Sequence, residues 1–336
     1  QKTAYEIPKR DWSSDVCSSD LRDPLELVRQ SISEHQYPDG FVLFLGTLFA
    51  PTQDRDVKGS GFTHKEDIIT AMQACAAGGV TTSFAMPNVQ PPPNTVERLD
   101  AMIDIYNSKS IIDWNINPAG TVPEEIAGLA TRGIAAFKVF MVVDTGRSYP
   151  HMPGIGIHDH GKLLEIFETI RPTGVPLMVH PHDQQLMSYI EETFWKRGER
   201  DAQAYAKAYS AYDGIIWDTA CALLLRLQKA TGTPLHLLHT QSIGVVEQLR
   251  RARDAGQDIS AELNPWALFL GNDWNNIVRL GSYALSYYIP EKNTQPLWDA
   301  LADGTIDIIS TDHGPDRKST RLNSSHVSES RMPSSA

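Results

Sequence analysis

From Glu66 onward the chain alternates short apolar runs with longer amphipathic stretches, and this alternation constrains the fold more than any other feature. The seven apolar runs are, in chain order, VTTSFAM, IDWNINPA, IAAFKVFMVV, VPLMVH, TPLHLLH, DISAEL and IDIIST. Segments with helical spacing lie between them, such as HGKLLEIFETI, WDTACALLLRLQKATG and GVVEQLRRARDAG. Apolar strands that alternate with amphipathic helices are typical of a parallel sheet. Seven such units favour a (β/α)8 barrel over an open doubly wound sheet, with a further strand expected before the first.

Composition excludes several classes of function. With 336 residues, 41% of them hydrophobic, the chain can form one large barrel or two ordinary domains. Its formal charge of −11 argues against a nucleic-acid partner. No apolar run reaches the roughly 18 residues that a membrane span needs, so no membrane partner is expected. The three cysteines, Cys17, Cys75 and Cys221, share no short spacing, which suggests neither a zinc knuckle nor a disulfide framework and fits a cytoplasmic enzyme.

Four of the predicted strands carry a group that can take part in metal chemistry, namely Lys138, His180, His239 and Asp312. In a barrel such groups meet at the carboxyl ends of the strands. A single strand histidine is more often a core residue, but two imidazoles with a carboxylate make a standard zinc set. A buried lysine loses its proton more readily, and its amine can then capture carbon dioxide. The resulting carbamate is anionic and can bridge two cations roughly 3.5–4 Å apart.

From about Phe62 to Pro315 the chain resembles the cyclic amidohydrolases, which include dihydroorotase, hydantoinase and allantoinase. The resemblance is carried by FTHKEDI, AAGGVTT, MPNVQPP, FKVFM, the strand ending in His180, HLLHTQS, AELNP and TDHGP. It implies a barrel with two divalent metal ions, usually zinc, that hydrolyses a C–N bond in a ring. The substrate would be a small cyclic amide or ureide, and the parent enzyme would be a homo-oligomer.

The resemblance also implies roles for single residues. Lys138 would be the carbamylated bridge, and His180 and His239 would bind the second metal. Asp312 would bind the first metal and act as the catalytic general base. Substrate contacts are expected from Asn88, Asn264 and His313.

Two residues bear on the choice of substrate within the family. Asn88 matches an asparagine that dihydroorotases use on the substrate, and Val143 stands where hydantoinases carry a tyrosine. Both favour a dihydroorotase-like enzyme over a hydantoinase-like or allantoinase-like one. The stretch HPHDQQ, which begins at His180, departs from the commoner His-Ala-Glu-Asn or His-Cys-Glu-Asp and indicates a divergent subgroup. A non-catalytic scaffold with the same fold is the alternative from another class, but scaffolds tend to lose the lysine and the late histidines, which remain here.

The first-strand ligands of the family are not found where they are expected. That strand ends in His-x-His, and the corresponding positions here hold Asp54 and Asp56. Whether these carboxylates replace the histidines is left open. The stretch His158-Asp159-His160 has the right letters, but it precedes an amphipathic helix, so we predict that it caps this helix.

Both ends of the chain resemble other sequences. DWSSDVCSSDL (Asp11–Leu21) and DRKSTRLNSS (Asp316–Ser325) can be encoded by the two strands of one DNA sequence that resembles a sequencing-library adapter. Residues from about Arg22 to Lys65 resemble a fragment of the fumarylacetoacetate hydrolase family, and we expect Phe41–Gly46 to occupy the first-strand position.

The predicted organisation therefore has four parts, which are residues 1–21 (disordered and partly adapter-derived), 22–65 (a foreign β-rich fragment), 66–315 (the amidohydrolase barrel) and 316–336 (a disordered adapter-derived tail). An incomplete barrel leaves strand edges exposed, so we expect the chain as printed to fold poorly and to be inactive.

Overall fold

The computed structural model describes residues 67–89, 91–142, 155–269, 271, 275, 279, 291–314 and 323–324. Several predictions lie outside the described residues. They concern Asp54 and Asp56, Phe41–Gly46, Val143, and the segments assigned to a foreign fragment and to adapter sequence, apart from two residues of the tail.

The described residues form ten helices and nine strands. In chain order these are α1 (Ile68–Ala77), β1 (Thr82–Ala85), α2 (Val96–Lys109), β2 (Asp113–Ile116), α3 (Pro123–Ala130), β3 (Phe137–Phe140), α4 (His160–Ile170), β4 (Leu177–His180), α5 (Gln184–Lys196), α6 (Ala202–Tyr209), α7 (Ile215–Thr231), β5 (Leu235–Leu237), α8 (Ile243–Asp254), β6 (Ile259–Leu263), α9 (Pro265–Phe269), α10 (Thr294–Ala302), β7 (Ile308–Ile309), β8 (His313–Gly314) and β9 (Asn323–Ser324). Short 3₁₀ turns lie at Arg171–Thr173, Ala211–Asp213 and Glu291–Asn293.

Strands β1 to β7 follow one another in space in the same order as in the chain. Strand β1 pairs with β2, and β3 to β7 form one sheet, with every pairing parallel. A parallel bridge between Ala119 and Lys138 continues the array from the end of β2 to β3. Each of the seven predicted strands is therefore confirmed, and their order is that of a barrel wall with helices between successive strands.

The strand register shows which side chains face the inside of this wall. Lys138, Met178, His236 and Ser260 are paired in turn across β3, β4, β5 and β6, so their side chains share one face of the sheet. Met178 packs in a buried cluster with Ala136 and Leu238 beside the neighbouring strands, and with Phe84 and Met86 at β1, which is not a neighbour of β4. Side chains of distant strands can meet only on the concave side, so this face is the interior of the barrel.

The helices cover the opposite face. Helix α4 illustrates the pattern, because it buries Leu163, Ile166, Phe167 and Ile170 at helical spacing. Its N-cap is Asp159, whose Oδ1 accepts a hydrogen bond of 2.8 Å from the backbone of Lys162. The predicted capping role of His158-Asp159-His160 is confirmed, and all three residues are exposed.

Two residues of the predicted disordered tail are described. Asn323 and Ser324 pair in antiparallel fashion with His313 and Gly314. Among the helices that the structure describes, none is long and apolar enough to cross a membrane.

Candidate metal centre and active site

The two predicted histidine ligands are in direct contact. His180 is the last residue of β4, and His239 follows β5 by two residues. The distance from His239 Nε2 to His180 Nδ1 is 2.7 Å, and both side chains are buried. The fold thus brings together two imidazoles that are 59 positions apart in sequence, at the carboxyl ends of neighbouring strands.

Two of the predicted site residues have an unusual backbone. His239 has a φ of 36° and Asp312 a φ of 45°, and residues other than glycine rarely adopt such positive values. Such a conformation raises the energy of the chain by about 1–3 kcal/mol and persists only where the surrounding structure imposes it. Tyr212 and Asp213, between α6 and α7, share this backbone region, so the strain is not confined to the residues after β5 and β7.

Lys138 lies in the barrel wall with almost no contact with solvent. It is 2% exposed, and its Nζ is 4.4 Å from the centroid of the Phe140 ring. Burial lowers the pKa of Lys138 to about 7, and the charges of Asp312 and Glu262 oppose this shift. A substantial fraction of the amine is therefore neutral near pH 7, which is the form that reacts with carbon dioxide. Asp312 is also buried, and its charge acts on the amine of Lys138, so the predicted lysine and aspartate lie near one another.

A polar group that the sequence analysis did not single out lies in the barrel interior beside Lys138. Glu262 of β6 is 2% exposed, and its Oε2 is 3.3 Å from Nε2 of His236. Nδ1 of His236 is in turn 2.8 Å from Oγ of Ser260. The signal was present in the sequence, since Ser260 and Glu262 alternate along a strand and so point to the same face. A buried carboxylate needs such partners, and the contact explains why a glutamate is tolerated inside the barrel.

The described residues supply part of the ligand set that a metal centre needs. Two nitrogens on one tetrahedral zinc lie roughly 3.3 Å apart, so the two imidazoles need to separate by less than about 1 Å to share an ion. In this side-chain arrangement no three His, Cys, Asp or Glu side chains within the described residues converge closely enough to hold a metal. A lysine supplies no metal-binding oxygen until it carries a carboxylate, so a carbamate on Lys138 would add the missing anionic donor. The two imidazoles and a carbamylated Lys138 are therefore donors of the kind that a zinc centre uses.

The predicted substrate-binding amides are also buried at strand ends. Asn264 follows β6 directly, Asn88 follows β1 by three residues, and each is at most 1% exposed. Among the described residues, neither amide atom of either side chain has a hydrogen-bond partner. An unpaired buried polar group is destabilising by about 1–3 kcal/mol, so these positions are better suited to a bound ligand than to an empty fold. The side chain of His313 lies outside the described residues.

A second histidine follows β4. His182 is 1% exposed, and its ring centroid is 6.1 Å from that of His180. Its Nδ1 is 3.4 Å from the hydroxyl of Tyr209, the last residue of α6. Burial lowers the pKa of His182 to about 4, with the charge of Asp183 opposing the shift. The departure HPHDQQ, noted in the sequence, thus lies directly beside the predicted metal ligand.

Comparison with known sequences finds dihydroorotases and an allantoinase among the relatives. No protein-family model matches the chain. A dihydroorotase of Lactobacillus leichmannii is 29% identical over 262 residues, which are 76% of this chain and 57% of that enzyme. An allantoinase of Streptomyces avermitilis is 30% identical over 269 residues, which are 77% of this chain and 56% of that enzyme. The chain thus spans little more than half the length of these relatives, and they support the cyclic amidohydrolase family.

Comparison with solved structures concerns the fold. An L-hydantoinase from Arthrobacter aurescens matches with a TM-score of 0.69 at 23% identity, covering 81% of this chain and 58% of that one. A D-hydantoinase matches with a TM-score of 0.66, also at 23% identity. The predicted α/β fold, a (β/α)8 TIM barrel, is therefore confirmed, with seven of its strands in the described residues.

Proposed function

We propose that this barrel belongs to a metal-dependent hydrolase that opens a C–N bond in a cyclic amide and is most like dihydroorotase. The observation that carries the proposal is the 2.7 Å contact between His180 and His239 at the carboxyl ends of β4 and β5. It brings two imidazoles together on the barrel wall that also contains Lys138, whose pKa burial lowers to about 7. Two buried imidazoles in contact at strand ends are what a shared metal ion requires.

We assign the metal ligands by chemistry. His180 and His239 would hold one zinc ion, Asp312 would hold another, and a carbamate formed on Lys138 would bridge them. When bound, the metals would supply Lewis-acid polarisation of the ring carbonyl and would acidify water toward neutral pH. The ligands of the first strand, for which Asp54 and Asp56 are the candidates, lie outside the described residues.

Asp312 is assigned to proton transfer. Its carboxylate would accept the proton of the attacking water as the water oxygen bonds to the ring carbonyl carbon. The same carboxylate would then donate this proton to the ring nitrogen as the C–N bond breaks, so that the product is a ring-opened acid. The buried position of Asp312, whose charge acts on Lys138, is what supports this role.

Asn88 and Asn264 are assigned to substrate binding, together with His313. A ring amide has its N–H and C=O on the same edge, and a primary amide side chain offers one donor group and one acceptor to such an edge. The two buried asparagines can therefore each hold part of a ureide. This supports a small cyclic substrate and an enzyme over a non-catalytic scaffold.

The remaining assignments follow from the resemblance and the composition. We place the protein in the cytoplasm, without a nucleic-acid or membrane partner, and expect the parent enzyme to be a homo-oligomer. A hydantoinase-like or allantoinase-like substrate is the alternative to dihydroorotate.

The test is to incubate the chain with zinc and bicarbonate, and to measure binding and ring opening of dihydroorotate, hydantoin and allantoin. We expect zinc-dependent binding with dihydroorotate preferred. We expect no ring opening by the chain as printed, because aspartates stand where the family has His-x-His. Zinc-dependent ring opening would show that this second expectation is wrong and would support the proposed chemistry directly. Failure to bind zinc or any of the three compounds would contradict the proposal.

A further inference from the structure

One polar side chain inside the barrel has no role in the site described so far. Asn117 directly follows β2, and its backbone N–H donates a 2.8 Å hydrogen bond to Ala85, which continues the ladder between β1 and β2. Its side chain is 0% exposed. Nδ2 lies 3.7 Å from the sulfur of Met86, and among the described residues Oδ1 has no hydrogen-bond partner. Because a thioether sulfur accepts hydrogen bonds but does not donate them, this contact leaves the amide oxygen for another donor.

The side chain of Asn117 faces the interior of the barrel and not the helices. Met86, which it contacts, belongs to the interior cluster around Met178. The strand register agrees, because Asn115 is paired with Phe84 of the same cluster, and residues 115 and 117 alternate along an extended segment. The unpaired amide oxygen therefore lies inside the barrel.

The strand next to Asn117 carries Lys138. The backbone N–H of Lys138 donates a 2.8 Å hydrogen bond to Pro118, and Ala119 is paired with Lys138 by a parallel bridge. Since Asn117 and Ala119 are alternate residues, Asn117 is a diagonal neighbour of Lys138 on the interior face, within reach of a long side chain. Nζ of Lys138 lies 4.4 Å from the centroid of the Phe140 ring, and an aromatic ring is at most a weak acceptor.

Carbamylation changes what the lysine nitrogen needs. The neutral amine forms a bond from Nζ to the carbon of carbon dioxide, and one of its two protons leaves to the buffer, so one N–H remains. Resonance with the new carboxylate makes this nitrogen planar, as in a peptide bond, so the direction of the N–H fixes the plane of the two carboxylate oxygens. An acceptor that holds this N–H therefore orients the oxygens that would bridge the metal ions.

Building on the proposed function, we infer that Asn117 is a positioning residue for the carbamate of Lys138. Its Oδ1 accepts a hydrogen bond from the carbamate N–H, which stabilises the modified lysine and sets the plane in which its oxygens meet the zinc ions. Asn117 is not itself a metal ligand and acts through Lys138. Loss of such an outer partner typically weakens metal binding by about 10–100-fold.

Carbon-13 NMR of the full chain with zinc and ¹³C-labelled bicarbonate tests this inference, because the carbamate carbon gives its own resonance. Lys138→Met identifies this resonance by removing it. In Asn117→Leu we expect the bicarbonate concentration for half-maximal carbamylation to rise by about tenfold, and zinc affinity in bicarbonate to fall by about tenfold. In bicarbonate-free buffer Asn117→Leu should bind zinc as wild type does, because His180 and His239 are unchanged.

Met178→Leu is the matched control, because Met178 is paired with Lys138 from the other side and leucine has a similar volume. It is expected to leave carbamylation and zinc affinity unchanged. Unfolding midpoints of the metal-free chains show whether each variant folds, and Asn117→Ala, with the same expected losses, replaces Asn117→Leu if leucine does not fit.

Two results would contradict the inference in different ways. Carbamylation of folded Asn117→Leu or Asn117→Ala at the bicarbonate concentration that wild type needs would overturn it and leave the proposed function standing. If wild type forms no carbamate on Lys138, the proposed zinc bridge fails and the inference fails with it.

Discussion

At the scale of single residues, the buried asparagines divide into two kinds. Asn115 is fully bonded, since its Nδ2 donates to Gly133 O and its Oδ1 accepts from the backbone of Ile116 and Ala135. Asn88 is equally buried, but among the described residues its amide atoms have no hydrogen-bond partner. The first arrangement stabilises the fold, and the second is what a ligand site requires before the ligand arrives.

This difference predicts opposite results for the same substitution. Asn115→Leu should lower the free energy of unfolding by about 2 kcal/mol, because it leaves the N–H groups of Ile116 and Ala135 and the carbonyl of Gly133 without their partner. Asn88→Leu should stay within about 1 kcal/mol of wild type and weaken dihydroorotate binding by about tenfold. Urea unfolding and isothermal titration measure the two effects. A large loss of stability in Asn88→Leu, with binding intact, would assign Asn88 to the fold.

Lys138 predicts a pH dependence of stability in zinc-free and bicarbonate-free buffer. Its pKa is lowered from 10.5 to about 7, so between these values the unfolded chain holds a proton that the folded chain lacks. Stability therefore rises with pH across this window, by at most about 1.4 kcal/mol per pH unit from this group, and the penalty is complete below pH 7. Lys138→Met removes the proton and should flatten the profile. An unchanged slope in Lys138→Met would show that the lysine is not buried as described.

At the scale of elements, the packing of α7 against α8 leaves no room at Gly244. A Cβ added there would clash with Oδ2 of Asp218, whose carboxylate also accepts a hydrogen bond from Ser242, the N-cap of α8. The contact fixes the start of α8, directly after the loop that carries His239.

We therefore expect Gly244→Ala to lower the free energy of unfolding by about 1–3 kcal/mol through overpacking. The double variant Gly244→Ala with Asp218→Ala should recover part of this loss, because the smaller side chain makes room for the methyl group. Thermal unfolding of wild type, the two single variants and the double variant gives the coupling energy between positions 218 and 244. Additive losses would mean that the strain is relieved elsewhere.

At the scale of the whole molecule, the strand order could be predicted and the contacts across strands could not. Apolar runs alternating with amphipathic helices predicted all seven strands and their parallel pairing, since each run carries its own local signal. The contact of His180 with His239 needs the register of two strands, which is set by packing over the whole sheet. The pairing of Glu262 with His236 and of His182 with Tyr209 depends in the same way on side chains that are distant in sequence.

The predicted site was therefore better defined by residue type than by geometry. The sequence indicated Lys138, His180, His239 and Asp312, and the structure buries all four. The left-handed backbone of His239 and Asp312 had only a weak local signal, because aspartate and histidine adopt positive φ more often than most residues but far less often than glycine. Poor folding and inactivity of the chain remain predictions, as do the origins of its two ends.

If His180 and His239 hold a metal ion together, zinc titration of the full chain in bicarbonate buffer should show it. His239→Ala and His180→Ala should each weaken binding of this zinc by about 100-fold or more, because each removes one imidazole ligand. The double variant His158→Ala with His160→Ala removes two exposed histidines at the start of α4 and should bind as wild type does. Zinc binding should therefore be lost in the first two variants and retained in the third. Equal zinc binding by wild type and His239→Ala would show that these two histidines do not form a metal site.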